Sequence, residues 1–144
     1  MPTELGTRWP TDVSRRPTRM SPEDYLIWQR WWPTKKHLAK AVYFDVYLGT
    51  GIELEDMPEN YRRMWTRNTQ KRADVIIDAQ DGIWIVELRT EANSNALGRL
   101  QMYNKLWADD PGLPGRVSLY LITNNRDPDL TVLTRQLGII YEVS

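Results

Sequence analysis

The sequence predicts an α/β domain with a mixed central sheet flanked by helices. Three observations favour this fold class: segments rich in β-branched and aromatic residues alternate with helical segments, a hairpin occupies the middle of the chain, and helices separate the later strands. The predicted order is helix, strand, helix, hairpin, helix, strand, helix, strand. A chain of 144 residues is long enough to bury one hydrophobic core.

The first 38 residues are predicted to form an N-terminal arm and a short aromatic helix, and residues 39–144 the α/β domain. Residues 1–20 are rich in Pro, Thr and Arg and have no apolar period, so alone they would be disordered. A serine at position 21 caps the helix that follows, and Pro33 ends it.

Three tryptophans of this helix, Trp28, Trp31 and Trp32, raise the question of what they contact. Aromatic side chains with a polar group suit interfaces as well as half-buried core positions. We expect the cluster, with the arm, to contact a partner protein. Core packing remains the alternative for each ring.

The next two elements are a strand and a helix. The run AVYFDVYLG from Ala41 predicts a strand, which ends at the turn signal Gly49-Thr50-Gly51. A helix then begins at Pro58 with Tyr61, Met64 and Trp65 on one side. Its arginines, on other faces, are interpreted as solvated, with phosphate contact as the alternative; they are Arg62, Arg63 and Arg67.

The second half of the chain supplies the hairpin and the remaining elements. Strands at 73–79 and 83–89 flank Asp81-Gly82, a strong hairpin signal. The later elements are a helix from about Asn95 to Trp107, in which Gly98 would allow close approach to the sheet, a strand from Arg116, a helix between Asp127-Pro128 and Gly138, and a last strand, IIYEV.

The predicted hairpin register places the charged residues on one face. A two-residue loop at Asp81-Gly82 sets Asp74 opposite Arg89 and Ile76 opposite Glu87. Because side chains alternate, Asp74, Asp78, Glu87 and Arg89 then share one face. The other face carries only apolar side chains, those of Val75, Ile77, Ala79, Trp84, Val86 and Leu88.

Carboxylates from adjacent strands can share a hard cation such as Mg²⁺. Asp74 and Glu87 are the candidate ligands, and Arg89 would border the metal and an attacking water. Such a set suits metal-assisted phosphodiester hydrolysis. The alternative is a solvated face in which Asp74 and Arg89 form an ordinary cross-strand ion pair.

From about Ala41 to Val143 the chain resembles the PD-(D/E)xK nuclease superfamily, in particular its small phage-encoded members. The resemblance lies in the segments GTG, RRMW, RADVIID, IWIVELR and ALGRLQMY, in that order. It implies a restriction-endonuclease-like core. It also implies that Asp74 and Glu87 bind Mg²⁺ as cofactor and act in catalysis with the residue at position 89.

Two positions depart from the family pattern. The family's lysine falls at Arg89, and a glutamine often found four residues before the helix tyrosine falls at Arg99, with Tyr103 retained. Arginine stays charged and cannot act as a base, although its fork could stabilise a pentavalent phosphate. Arg89 could also bond to Glu87 or Asp74 and displace the metal's electrostatic role. The resemblance therefore implies weakened or lost catalysis.

The first functional hypothesis is a phage virion assembly component of the head-tail or neck region, built on an inactive nuclease fold. It would be made in the host cytoplasm and enter the virion, contacting other phage structural proteins through the arm and the three tryptophans; a homo-oligomer is also allowed. The alternative is an active Mg²⁺-dependent DNA endonuclease. Its DNA-binding residues would be Arg62, Arg63, Arg67 and Arg99.

Composition limits the other possibilities. Nineteen basic residues balance nineteen acidic ones, which weakens a third hypothesis, a DNA-binding module without cleavage. The absence of cysteine removes disulfides and thiolate nucleophiles and fits a reducing compartment. No apolar run approaches the roughly 20 residues of a membrane span, and the N-terminus lacks the apolar segment of a signal peptide.

Overall fold

The computed structural model describes residues 3–52 and 55–144. The elements follow the predicted order, with two short 3-10 turns between the first helix and the first strand. They are α1 Pro22–Trp31, the turns Trp32–Thr34 and Lys36–Leu38, β1 Ala39–Leu48, α2 Glu59–Thr69, β2 Lys71–Ala79, β3 Gly82–Arg89, α3 Ser94–Asp109, β4 Val117–Thr123, α4 Pro128–Leu137 and β5 Ile139–Val143.

The five strands form one sheet in the order β1-β2-β3-β4-β5. β1, β2 and β3 pair antiparallel, whereas β3, β4 and β5 pair parallel. The parallel pairs need crossovers, which α3 and α4 supply. The predicted fold class, an α/β domain with a mixed sheet flanked by helices, is confirmed.

The sheet separates two apolar clusters. On one side, Leu100 and Trp107 of α3 pack against Ile76 and Ile85 of the sheet. On the other side, α1 packs against a second set of strand residues that includes Trp84. All six side chains predicted for the apolar face of the hairpin belong to this second cluster: Val75, Ile77, Ala79, Trp84, Val86 and Leu88. The prediction that this face of the hairpin carries only apolar side chains is confirmed.

Local capping explains where the helices begin and end. Ser21 caps α1 by accepting a hydrogen bond from the backbone N–H of Asp24 at 3.1 Å. Asp127 caps α4 in the same way, with Pro128 at its first position. Gly138 ends α4 in the left-handed conformation, at φ 70°.

The three tryptophans of the aromatic helix are core residues. Trp28, Trp31 and Trp32 are 2%, 3% and 4% exposed, and the rings of Trp28 and Trp32 stack with centroids 4.7 Å apart. Their polar groups find acceptors inside the chain, since Trp31 Nε1 donates to Glu142 and Trp32 Nε1 to the carbonyl of Thr11, both at 2.7 Å. The expectation that these rings face a partner is wrong for this fold.

The arm lies along the outer edge of β1. Glu4 exchanges two backbone hydrogen bonds with Tyr47, at 3.0 and 3.2 Å, and Trp9 exchanges two with Val42, at 2.9 and 3.0 Å. The arm is therefore held by its own chain, and α1 shares one apolar cluster with the sheet. The division of the chain at residue 38 stays a prediction. No helix in the described ranges is long and apolar enough to span a bilayer.

The predicted hairpin register is wrong by one position in each strand. Ala79 pairs with Gly82, so the loop is Gln80-Asp81, and Ile76 pairs with Ile85 rather than Glu87. Gly82 is therefore part of β3, and the position requires glycine because a Cβ there would lie 2.2 Å from the carbonyl oxygen of Arg116. The error moves each partner by two residues, and an even shift in register does not by itself exchange the two faces of the hairpin.

Candidate carboxylate site

The site lies where the pairing of β2 with β3 ends. The last regular pair is Val75 with Val86. Beyond it, the backbone N–H of Leu88 donates to Oδ2 of Asp74 at 3.2 Å. The carboxylate of Asp74 thus takes the place of the carbonyl that a continued ladder would provide.

The backbone around Asp74 departs from regular alternation. Ala73 and Ile76 both lie in the α3-side cluster, although an odd spacing in a regular strand would put them on opposite faces. On β1, Asp45 has a positive φ of 51° and drops out of the pairing between Phe44 and Val46. Within this irregular stretch the Asp74 side chain reaches the backbone of β3.

Asp74 and Glu87 come together, as the sequence predicts. Burial raises the pKa of Asp74 well above its usual range, and the charge of Glu87 and a hydrogen bond shared with that side chain raise it further. The N–H of Leu88 and the charge of Arg89 oppose this rise in pKa. Although part of Asp74 stays accessible, its carboxyl group is largely removed from solvent.

Arg89 is bonded to Glu87. Its Nη2 lies 2.6 Å from Oε2 of Glu87, and its Nε donates to the same oxygen at 2.8 Å. Glu87 is only 1% exposed, and its other oxygen, Oε1, has no hydrogen-bond partner among the described residues. Burial opposes the charge on Arg89, but the carboxylates of Glu87 and Asp74 outweigh it and raise the pKa of Arg89.

Two residues of α3 border the pair. Burial and then the charge of Glu87 raise the pKa of Tyr103 to about 12, while a hydrogen bond with Arg99 opposes the shift. Asp74 also contributes to this rise in pKa. Tyr103 and Arg99 therefore belong to the surroundings of the carboxylates. Of the arginines predicted to bind DNA, Arg99 is the one that the structure brings to the site.

The arginines of α2 lie elsewhere. Arg67 forms an ion pair with Glu4 at 3.0 Å and lies over the ring of Tyr47 at 4.1 Å. Arg63 lies 3.8 Å from Glu59 within its own helix, and Arg62 is exposed. Asp78, predicted on the same face as the carboxylates, lies 3.9 Å from Lys40 and does not join them.

Sequence reasoning missed the acidic neighbours of Asp74. A small cavity of about 30 Å³ is lined by Asp74, Asp24, Asp45, Arg19, Pro17, Met20 and Leu88. Burial and then the charge of Asp74 raise the pKa of Asp24. Burial also raises the pKa of Asp45, against the charges of Arg72 and Arg19. The only signal in the sequence was Asp45 itself, a charged residue inside the apolar run VYFDVY.

The fit of the site to Mg²⁺ is partial. The unpartnered Oε1 of Glu87 beside Asp74 is a place where a cation or a proton is needed. Within residues 3–52 and 55–144, however, no group of three or more His, Cys, Asp or Glu side chains could hold a metal ion. The residues fit a hard cation held by two carboxylates and otherwise by water.

Comparison with known proteins identifies the fold and no family. No protein-family model matches the sequence, and no curated protein matches it. The crystal structure of protein VC1899 from Vibrio cholerae is similar, with a TM-score of 0.50 and 14% identity. The similarity covers 85% of this chain and 30% of that protein, so the chain spans about a third of its length. At this identity the likeness concerns the fold alone.

Proposed function

We propose that the chain is an assembly component of a phage virion, in the head-tail or neck region, built on a PD-(D/E)xK nuclease-like fold that does not cleave DNA. The observation that carries the loss of cleavage is the pairing of Arg89 with buried Glu87. The phage context is supported by the resemblance of the segments RADVIID and IWIVELR to small phage-encoded members of that superfamily.

Arg89 supplies a positive charge to the carboxylates without a metal ion. It pairs directly with Glu87, and burial and the charge of Glu87 raise the pKa of Asp74 beside that pair. A guanidinium is a permanent cation, so it stabilises Glu87 at any pH at which the protein is folded. It cannot accept a proton from water, which removes one route to a nucleophile. A resident arginine thus replaces the cation that the carboxylates would otherwise require.

A second candidate, a Mg²⁺-dependent DNA endonuclease, is favoured by the unpartnered Oε1 of Glu87. Asp74 and Glu87 would hold the ion, which when bound neutralises phosphate charge and lowers the pKa of water. Arg99 and Tyr103, which border the carboxylates, would contact the phosphate. Arg89 would keep Glu87 oriented through its two hydrogen bonds.

A plasmid assay separates the two candidates. Supercoiled DNA incubated with the protein and Mg²⁺ or Mn²⁺ is expected to remain uncut. Nicking by the wild type that Asp74→Ala and Glu87→Ala abolish would establish the endonuclease instead. The variant Arg89→Lys is a further test. If it cleaves DNA and the wild type does not, the arginine alone prevents cleavage.

The assembly role has its own measurement. Particles of a phage that encodes this chain are expected to contain it in a fixed ratio to the other virion proteins, by quantitative mass spectrometry. A chain that stays in the lysate and is missing from purified particles contradicts the role. Deleting residues 1–33 is not a useful variant, because it removes α1 and uncovers Trp84 and its neighbours in the core.

A further inference from the structure

The arm forms a closed loop before α1. The N–H of Val13 donates to the carbonyl of Pro10 at 3.2 Å, and the N–H of Met20 donates to the carbonyl of Pro17 at 3.1 Å. A third bond runs from Nη1 of Arg16 to the carbonyl of Met20, at 2.9 Å. This part of the arm is therefore held in shape by its own hydrogen bonds.

The loop and β1 border a cavity of about 200 Å³, here called the arm cavity. Three arginines of the loop, Arg15, Arg16 and Arg19, lie in its wall together with Phe44 and Asp45 of β1. A cavity of roughly 150 Å³ is already large enough to hold a benzene molecule. The arm cavity can therefore admit a small ligand.

The arginines of the arm cavity lack acidic partners at close range. Arg15, Arg16 and Arg19 are exposed, and none of them forms an ion pair within residues 3–52 and 55–144. Three positive charges on one short loop repel one another. A concave wall with an excess of one charge attracts ions of the opposite sign. An anion in the cavity would relieve the repulsion between the guanidinium groups.

The contacts that two of these arginines make within the chain leave their charge available. Arg15 lies over the ring of Trp9, with its guanidinium carbon 5.7 Å from the ring centroid. Such a contact positions the guanidinium and does not cancel its charge. Arg16 donates to the carbonyl of Met20, and a guanidinium has further N–H donors beyond the one used there. Both side chains can therefore still donate to an oxyanion.

One carboxylate shares the wall with the arginines. Asp45 is the only acidic side chain among the described residues that line the arm cavity. The charges of Arg72 and Arg19 both act on it, and Arg72 belongs to β2, outside the loop. The positive charge of Asp45's surroundings thus comes partly from another strand. Three arginines against one carboxylate leave the wall of the cavity positive.

The remaining side chains of the wall favour phosphate over other anions. Two are the hydroxyl groups of Thr7 and Thr18, and two are the rings of Trp9 and Phe44. Guanidinium and hydroxyl groups are the donors that proteins use for phosphate oxygens. A phosphate monoester carries a charge of about −1.5 to −2 at neutral pH and three acceptor oxygens, so it can serve several donors at once. A carboxylate has fewer oxygens and a single charge.

We propose that the arm cavity binds a phosphate group, with Arg15, Arg16 and Arg19 as donors to its oxygens. The group is either a free phosphate ion or the phosphate of a small monoester whose organic part lies against Trp9 and Phe44. The proposal goes beyond the virion role and uses neither that role nor the chemistry of the carboxylate site.

Calorimetry of the full-length protein tests the proposal. The probes are inorganic phosphate and phenyl phosphate, near neutral pH and at constant ionic strength, and benzoate is the control that carries the same ring on a carboxylate. We expect saturable binding at one site, with benzoate at least about tenfold weaker than phenyl phosphate. Tighter binding of phenyl phosphate than of inorganic phosphate supports a monoester, and equal affinity supports free phosphate. No saturable binding of either phosphate probe, or equal binding of benzoate, overturns the proposal.

Substitution of the arginines locates the site. Arg15→Gln and Arg19→Gln should each weaken phosphate binding by about tenfold. Arg135→Gln, at an exposed position of α4, removes the same charge away from the arm cavity. This matched control should leave the affinity unchanged. An equal loss in the control would show that phosphate responds only to the overall charge of the protein, and would overturn the assignment.

Asp45→Asn tests the same site in the opposite direction. It removes the carboxylate from the wall with little change of shape, and asparagine tolerates the positive φ of 51° at this position. Loss of a negative charge beside the bound anion should strengthen phosphate binding several-fold. A purely structural role of the loop predicts no such gain. Unchanged or weaker binding in this variant contradicts the placement of the phosphate beside Asp45.

Discussion

Nη2 of Arg89 lies 2.6 Å from Oε2 of Glu87, two positions before it on the same strand. Residues two apart on a strand share a face, so the pairing requires no distortion of β3. A lysine at this position has no fork with which to donate two hydrogen bonds to one carboxylate. The arginine therefore holds Glu87 more rigidly than a lysine would.

Arg89→Ala should lower the free energy of unfolding by about 2 kcal/mol, because it leaves the charge of buried Glu87 without a counterion. Part of the guanidinium is exposed, which keeps the loss below that of a fully buried pair. Urea denaturation measures the change. Arg135→Ala, at an exposed position of α4, is the control and should stay within about 0.5 kcal/mol of wild type. Equal losses in the two variants would show that Arg89 is an ordinary surface residue.

Asp74→Asn should flatten the pH dependence of stability. The folded-state pKa of Asp74 lies above its usual value of 3.8, so the stability that its proton contributes is fully present below pH 3.8 and is lost as pH rises through the folded-state pKa. An asparagine stays neutral at every pH, and its advantage over the wild type should grow over that window. Denaturation midpoints at a series of pH values measure it.

The companion variant Asp74→Ala separates charge from hydrogen bonding. It also removes the titrating group, so its pH profile should be as flat as that of Asp74→Asn. Its stability should be lower, because the N–H of Leu88 loses its acceptor. A wild-type pH slope that persists in both variants would refute the raised pKa of Asp74.

The two kinds of tryptophan should respond differently to truncation. Trp31→Ala should cost about 3 to 5 kcal/mol, since it opens a cavity in the α1-side cluster and removes the hydrogen bond to Glu142. Trp65→Ala should change stability by less than about 0.5 kcal/mol, because that ring is 45% exposed. Thermal or urea unfolding of both variants makes the comparison. A large loss for Trp65 would mean that α2 packs into the core.

Gly82→Ala and Gly98→Ala should act in opposite directions. At position 82 a methyl group meets the carbonyl of Arg116 at 2.2 Å with φ at 141°, so β3 or β4 must move, and we expect a loss of more than about 1 kcal/mol. At position 98 nothing lies within 4 Å of the added methyl group. Alanine there should stabilise α3 by about 0.5 to 1 kcal/mol. Unfolding midpoints that fall in both variants would contradict this.

The elements themselves were predictable because their signals are local. Ser21, the pair Asp127-Pro128 and Gly138 mark helix ends through backbone hydrogen bonds within a few residues. The convergence of Asp74 and Glu87 was predicted from alternation along two adjacent strands, although the backbone beside Asp74 departs from that alternation. An error of two residues in the pairing did not disturb it.

What could not be predicted depends on contacts between distant parts of the chain. Asp-Gly is a good turn signal, but Gly82 lies in β3, where the lack of a Cβ leaves room for the carbonyl group of Arg116. The interpretation of Gly98 as a site of close approach was wrong, because its surroundings are open. The cluster of Trp28, Trp31 and Trp32 has a composition typical of an interface. Its burial depends on hydrogen bonds from Trp31 to Glu142 and from Trp32 to Thr11, which join distant parts of the chain.

The arm's pairing with β1 also governs how copies of this protein could aggregate. An unpaired strand edge is a template on which another chain can add, and long flat edges are the most hazardous. β1 is ten residues long, yet its outer side is occupied by Glu4 and Trp9. The opposite margin of the sheet is β5, with five residues. The arm therefore prevents another chain from adding to the outer edge of β1, the longest strand. Loss of the first ten residues would expose that edge.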